Sequence, residues 1–218
     1  MSIPWENALF VLSAYLLGSI PVAFLIGKFA RGIDLRYKGS GTLGASNVFY
    51  NVGAFWFIPV GLFDSIVKGY LPIMIAKLAG IELTYQLVIG FAAIIGHNWP
   101  IFLKFKGGRG VAPSLGVLLA LGKLELAIFT IIACIGWQIL YSAPLSVLLS
   151  FLALPLASIY LDKPLSITVL MVGLLVITIL KRLFSNSLPT NQTNLKVLFI
   201  YRLIFDRDIP DNLSWVKK

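Results

Sequence analysis

Cysteine and histidine are nearly absent: the 218 residues include Cys134 and His97 and no others of either kind. Cys134 lies in the apolar run LAIFTIIACIGWQILY, so a disulfide framework and a thiolate metal cluster are both excluded, and it reads as a small core residue. Charge is scarce as well. Only 12% of residues are charged, where a soluble domain carries about a quarter, so an ordinary soluble fold is excluded. A cleavable leader is not expected, because Glu6 rather than a basic stretch precedes the first apolar run, and that run is too long for a leader. The nucleotide-binding pattern GxxxxGK[ST] cannot be matched in the glycine-rich region.

Apolar side chains fill the space: 58% of residues are hydrophobic and the mean hydropathy is +0.90. A helix needs about 20 mostly apolar residues to cross a bilayer. Candidate spans are Ala8–Phe29, Val52–Leu78, Tyr85–Ile95, Val111–Leu121, Leu124–Tyr141, Leu145–Leu161 and Leu165–Lys181, of which the third and fourth are short. The expected fold is an all-α integral membrane protein of about seven spans over residues 1–189, followed by a tail at 190–218. Charge orients it. With seven spans, Lys28, Arg31, Arg36, Lys38, Lys104, Lys106, Arg109, Lys181, Arg182, Lys196, Arg202, Arg207, Lys217 and Lys218 share one side, and Lys77, Lys123 and Lys163 the other. By the positive-inside rule the N-terminus is external, and the loops at 30–51 and 97–112 and the C-terminus are cytoplasmic, in the cell membrane. The formal charge of +9 then reads as topology and attraction to anionic lipid, without nucleic acid.

The two cytoplasmic loops carry the chemistry. In GSGTLGASN, the residues Gly39, Ser40, Gly41, Ser46 and Asn47 bring small residues, open amides and hydroxyls together before a helix, which suits phosphate. An interfacial turn capped by Ser46 or Asn47 fits the same residues. In GHNWPIFLKFKGGRGVAPSLG, Lys104, Lys106 and Arg109 surround Gly107, Gly108 and Gly110 at a helix start, combining charge with main-chain access. A loop contacting lipid headgroups is the alternative. Asp64 and Lys68, four residues apart within a span, share a helix face and are read as a structural intramembrane pair. His97 is an interfacial anchor unless another polar group converges on it.

The segments DLR, GSGTLGASNV, DSIVKG and GHNWPIFLKFKGGRGVAPSLGVLL, with GSIPVAFLIGK before them, resemble the bacterial acyl-phosphate:glycerol-3-phosphate acyltransferase family. The similarity runs from about Gly18 to Leu119. It implies transfer of a fatty acyl group from acyl phosphate to the 1-hydroxyl of sn-glycerol 3-phosphate, giving 1-acyl-glycerol 3-phosphate for phospholipid synthesis. No cofactor and no metal are implied, and a partner enzyme would supply the acyl phosphate. By the resemblance Ser40, Asn47 and Arg109 are catalytic. Gly39, Gly41, Ser46, His97, Lys104, Lys106, Gly107, Gly108, Gly110 and Arg182 then bind substrate.

The chain also departs from the family pattern. Thr42 stands for an Asn, Tyr50 for an Arg, Arg109 for a Lys, and Tyr141 where an Arg precedes the sixth span. No histidine follows His97, so the third motif keeps Arg182 and Asn186 with Leu183 in the histidine position, or only Arg202 and Leu203 if placed later. Two readings stay open: an active acyltransferase, and a silent relative that binds or transports a lipid or glycerol phosphate. The tail core LKVLFIYRLIF fits either an interfacial helix on the inner leaflet or a packed cap.

Overall fold

The computed structural model describes residues 5–184 and 194–208, and every regular element among them is helical. Six segments are long and apolar enough to cross a membrane: Trp5–Arg31, Ala54–Leu78, Leu83–Leu103, Lys123–Leu140, Ala143–Tyr160 and Leu165–Leu183. Val111–Leu121 is a shorter apolar helix. These seven segments coincide with the expected spans. The third is longer than hydropathy suggested, because the helix starts at Leu83 and a 3-10 turn at Ile101–Leu103 extends it.

Chain contacts divide the described residues into two compact units, one running to Ala120 and one starting at Leu121. In the first unit, the opening span is broken. Helix α1 (Trp5–Gly18) stops and α2 (Val22–Arg31) begins afresh. Pro21 has no N–H to continue the ladder and restricts Ile20 before it, so the proline forces the interruption. The second span comes after a short α3 (Ala45–Asn51) and consists of α4 (Ala54–Leu62), a π-helical turn at Phe63–Tyr70, and α5 (Leu71–Leu78). Leu71 N–H donates to Ile66 C=O, five residues back, which marks the turn. Helices α6 (Leu83–Asn98) and α7 (Val111–Leu121) complete the unit.

Helix α6 lies directly on α1, and a methyl on Gly96 would strike the Tyr15 carbonyl. Small residues allow such backbone approach where apolar burial gives helices in lipid little reason to associate. A second packing centre holds the loops. Ala23, Leu35, Leu43, Val48, Val52, Val60 and Leu103 form one buried cluster, so α2, both loops, α3 and α4 share an apolar base. Each fully buried leucine contributes about 1.5–3 kcal/mol, and the glycine segments therefore stand on anchored ground.

The second unit contains α8 (Lys123–Leu140), α9 (Ala143–Tyr160), α10 (Leu165–Leu183) and α11 (Leu195–Phe205). Phe129 meets Phe151 edge to face at 4.8 Å between centroids, tying α8 to α9, and Ser158 shares a 2.8 Å hydrogen bond with Thr168 of α10. Cys134 is exposed on α8 rather than buried in a core, because most of that helix presents its apolar side chains outward. Helix α11 buries Leu198 and Arg202 against its own unit and exposes Leu195, Val197 and Ile200. One face therefore packs as a cap while the opposite face stays apolar and open.

Candidate active site

The first loop is organised by Asn47. Its side-chain amide donates to the carbonyls of Leu35 (3.2 Å), Lys38 (3.1 Å) and Thr42 (2.9 Å), and its Oδ1 accepts from Asn51 at 2.8 Å. Asn47 is buried, with its polar atoms committed to shaping the loop. Thr42 hydrogen-bonds Ser40 through their hydroxyls at 2.8 Å. Neither Ser46 nor Asn47 caps α3: Gly44 occupies the cap position without a side-chain bond, and Ser46 is exposed. Gly39 and Gly41 adopt left-handed φ of 55° and 65°, and Gly41 N–H donates to Lys38 C=O at 3.1 Å. Tyr50 points outward, 60% exposed.

At the loop's start Arg36 pairs with Asp34 at 2.7 Å and stacks over Phe24, with its guanidinium carbon 5.1 Å from the ring centre. The hydrogen bond from Arg36 holds the Asp34 carboxyl below its ordinary range.

The second loop folds back on the end of α6. Gly108 N–H donates to His97 C=O at 3.1 Å, Phe105 N–H to Pro100 C=O at 3.0 Å, and Tyr15 Oη to Trp99 C=O at 3.0 Å. Gly107, Gly108 and Gly110 are buried, whereas Lys104 and Lys106 are exposed and Arg109 is half-buried. The glycines thus form the floor and the cations the rim. Gly110 has φ 78°, and its α-carbon faces the Asn98 side chain. That carboxamide is fully buried, and among the described residues neither of its polar atoms has a hydrogen-bond partner. Gly108 leaves no room for a side chain, because the His97 ring edge and the Leu43 carbonyl occupy the place where one would project.

The two loops meet. Leu43 N–H donates to Gly107 C=O at 3.3 Å. Beside this junction a narrow cavity of about 10 Å³, the size of one water, is lined by Gly18, Pro21, Leu43, Lys68, His97 and Gly107 among others. Lys68 binds Asp64 at 2.7 Å within the second span. His97 joins this pair, with Nδ1 3.5 Å from both Asp64 Oδ1 and Lys68 Nζ. The histidine therefore has the converging polar groups that would make it more than an anchor. Sequence spacing could not show this, since α6 and the π-helical turn come together only in the fold.

Arg182 belongs to the second unit, where its guanidinium donates to the carbonyls of Leu203 and Pro144, each at 2.7 Å. Arg202 donates to Leu183 C=O at 3.0 Å and to Asp208 at 2.5 Å. Both arginines, candidates for the missing third-motif functions, hold α11 in place. Tyr141 is the exposed left-handed cap of α8. Asn186 falls outside the described residues.

A polytopic helical membrane protein whose two glycine loops meet beside one buried lysine, with exposed lysines at their rim, defines the class of an integral membrane protein handling small anions. Residues 8–187 match the profile of the family described as glycerol-3-phosphate acyltransferase. Glycerol-3-phosphate acyltransferase 4 of Dehalococcoides mccartyi (strain CBDB1) is 36% identical over 213 residues, covering 94% of this chain and 91% of the relative. Glycerol-3-phosphate acyltransferase of Prochlorococcus marinus (strain MIT 9215) is 44% identical over 130 residues, 58% of this chain and 66% of that protein. The crystal structure of PlsY (YgiH), an integral membrane glycerol 3-phosphate acyltransferase, in its glycerol 3-phosphate form, superposes with a TM-score of 0.75 at 30% identity, covering 81% of this chain and 88% of that one. The chain belongs to the glycerol-3-phosphate acyltransferase family.

Proposed function

We propose that the protein transfers a fatty acyl group from an acyl phosphate to the 1-hydroxyl of sn-glycerol 3-phosphate, at the cytoplasmic face of the cell membrane, for phospholipid synthesis. The observation that carries the reading is the junction of the two loops, where Leu43 bonds Gly107 and the exposed cations Lys104 and Lys106 stand at the rim. Both substrates are anions, so a site of this kind must offset their repulsion while holding them in reacting geometry. The hydroxyl oxygen bonds to the acyl carbon, the acyl C–O bond to phosphate breaks, and the hydroxyl proton leaves with the departing phosphate. The donor is already activated, so no covalent protein intermediate is needed. Main-chain N–H groups and Arg109 would stabilise the charge developing on the acyl oxygen.

An apolar cavity of about 310 Å³ bounded by Leu9, Phe10, Ala14, Leu17, Pro72 and Ile75 supports a long-chain donor, since Leu17 adjoins Gly18 of the small cavity. A separate enzyme would supply the acyl phosphate. The test is purified protein with palmitoyl phosphate and labelled glycerol 3-phosphate. Formation of lysophosphatidate is expected. Its absence, with glycerol 3-phosphate still bound, would replace the enzyme by a binding protein, the reading that Tyr50 and the third-motif changes favour.

A further inference from the structure

The notable contact is the double grip of one residue on another. The main-chain carbonyl of His97 accepts the Gly108 N–H at 3.1 Å, and the Nε2–Cε1 edge of its ring fills the space beside the Gly108 α-carbon. The other edge of the same ring, at Nδ1, faces Asp64 and Lys68 at 3.5 Å each. All three side chains are buried, and Lys68, His97 and Gly107 line one cavity. The π-helical turn supplies this meeting, because both Asp64 and Lys68 lie within it. Such turns recur at functional sites.

We infer that His97 is a positioning residue, through which the buried Asp64–Lys68 pair fixes the Gly107–Gly108 segment in the shape that binds glycerol 3-phosphate. The carboxylate and ammonium set the ring's orientation, and the ring sets where Gly108 can sit. A pair serving stability alone would need only each other. Here the pair has a third member whose far edge rests on the loop. The inference rests on the reading of Gly107–Gly110 as the glycerol-phosphate loop. It goes beyond that reading by naming what holds the loop and by giving the intramembrane charges a part in substrate affinity.

The physical consequence is that Gly108 must be glycine because of the His97 ring edge first and the Leu43 carbonyl second. Its backbone is outside the left-handed region, so an added methyl meets a steric obstacle rather than a forbidden φ. Shortening the histidine should therefore relieve the larger part of what an alanine at Gly108 causes, the Leu43 carbonyl remaining. Asparagine keeps a polar atom near the Nδ1 position and lacks the far ring edge.

The experiment measures glycerol 3-phosphate affinity of the full-length protein in detergent by calorimetry, for Gly108→Ala, His97→Asn, their combination, the neutral pair Asp64→Asn with Lys68→Met, and Lys106→Ala. Gly108→Ala is expected to weaken binding about tenfold and His97→Asn about fivefold, with the combination weakening it by clearly less than the product of the two. Multiplying effects would overturn the inference. The neutral pair removes both charges together, so a merely structural pair predicts parental affinity once the protein accumulates normally. The positioning role predicts a loss of about fivefold in glycerol 3-phosphate affinity with the acyl-donor KM unchanged. Parental affinity in that variant refutes the inference even if Gly108→Ala fails to accumulate. Lys106→Ala tests the loop reading separately: unchanged affinity there overturns the loop assignment, whereas weakened affinity with independent His97 and Gly108 effects overturns only the positioning role.

Discussion

Replacing Arg182 by methionine separates two roles for that residue, substrate contact and anchor of the tail helix. Arg182 is 3% exposed and its guanidinium makes two 2.7 Å bonds, to Leu203 C=O and Pro144 C=O. Leu203 lies in the last turn of α11, where carbonyls have no intrahelical donor, so Arg182 caps that helix from α10. Methionine keeps the apolar stem and loses every donor. The two short hydrogen bonds from a charged group are together worth about 3–6 kcal/mol. Water can reach part of the freed surface, and removing a buried charge recovers desolvation energy, so about 2–3 kcal/mol is expected. For a chain of this length that corresponds to a fall of about 4–12 °C in Tm. Tryptophan fluorescence in detergent reads the midpoint, and protease digestion reads release of α11. An unchanged midpoint together with weakened glycerol 3-phosphate binding would refute the anchoring argument and return Arg182 to the substrate.

Gly110→Ala should cost about 2 kcal/mol, since φ 78° is unfavourable for an L residue and the methyl would lie 2.7 Å from Asn98 Oδ1; chemical denaturation in mixed micelles measures it. Asp34 has a folded pKa below its ordinary 3.8, so its pairing with Arg36 adds stability above that value and loses it as pH falls through the lower folded pKa. The Tm gap between the parent and Asp34→Asn should therefore close under acid, and a gap independent of pH would reject the assignment. With Cys134 replaced, a cysteine at Lys38 should react with an impermeant thiol reagent only in opened cells, and one at Lys163 from outside; labelling of both from one side would defeat the proposed orientation.

The sequence exposed the spans because a lipid-facing helix must be apolar over its length, and Pro21 already carried the signal for the break in the first one. The glycine-and-cation loop was equally legible, since its composition is unusual beside two apolar helices. The depth of its glycines was not. Whether Gly108 faces a ligand or a histidine depends on how α6 and the loop pack, which spacing along one chain does not encode. Asn47 illustrates the same limit: its residue type suits phosphate, yet its amide is turned inward to three carbonyls. The Asp64–Lys68 pair could be read from a four-residue spacing, but the third partner is 29 residues away. Arg182 and Arg202 were candidates only through the third motif of the resemblance, and a guanidinium suits the main-chain carbonyls they bind as well as it suits phosphate.

The π-helical turn at Phe63–Tyr70 also bears on how the protein can change over evolutionary time. A wider turn accommodates one more residue than an α-helix without breaking the span, so it preserves an insertion as geometry. Deleting a single residue between Asp64 and Lys68 would let the wide turn tighten into an α-helical one, leaving the flanking helices near their register but changing the spacing of the two side chains from four residues to three. The carboxylate and ammonium would then meet each other and His97 in a different geometry, although composition and hydropathy would be almost unaltered. Length between these two positions is therefore under a constraint that substitutions are not, and an alignment gap there would mark a relative with a differently held glycine loop.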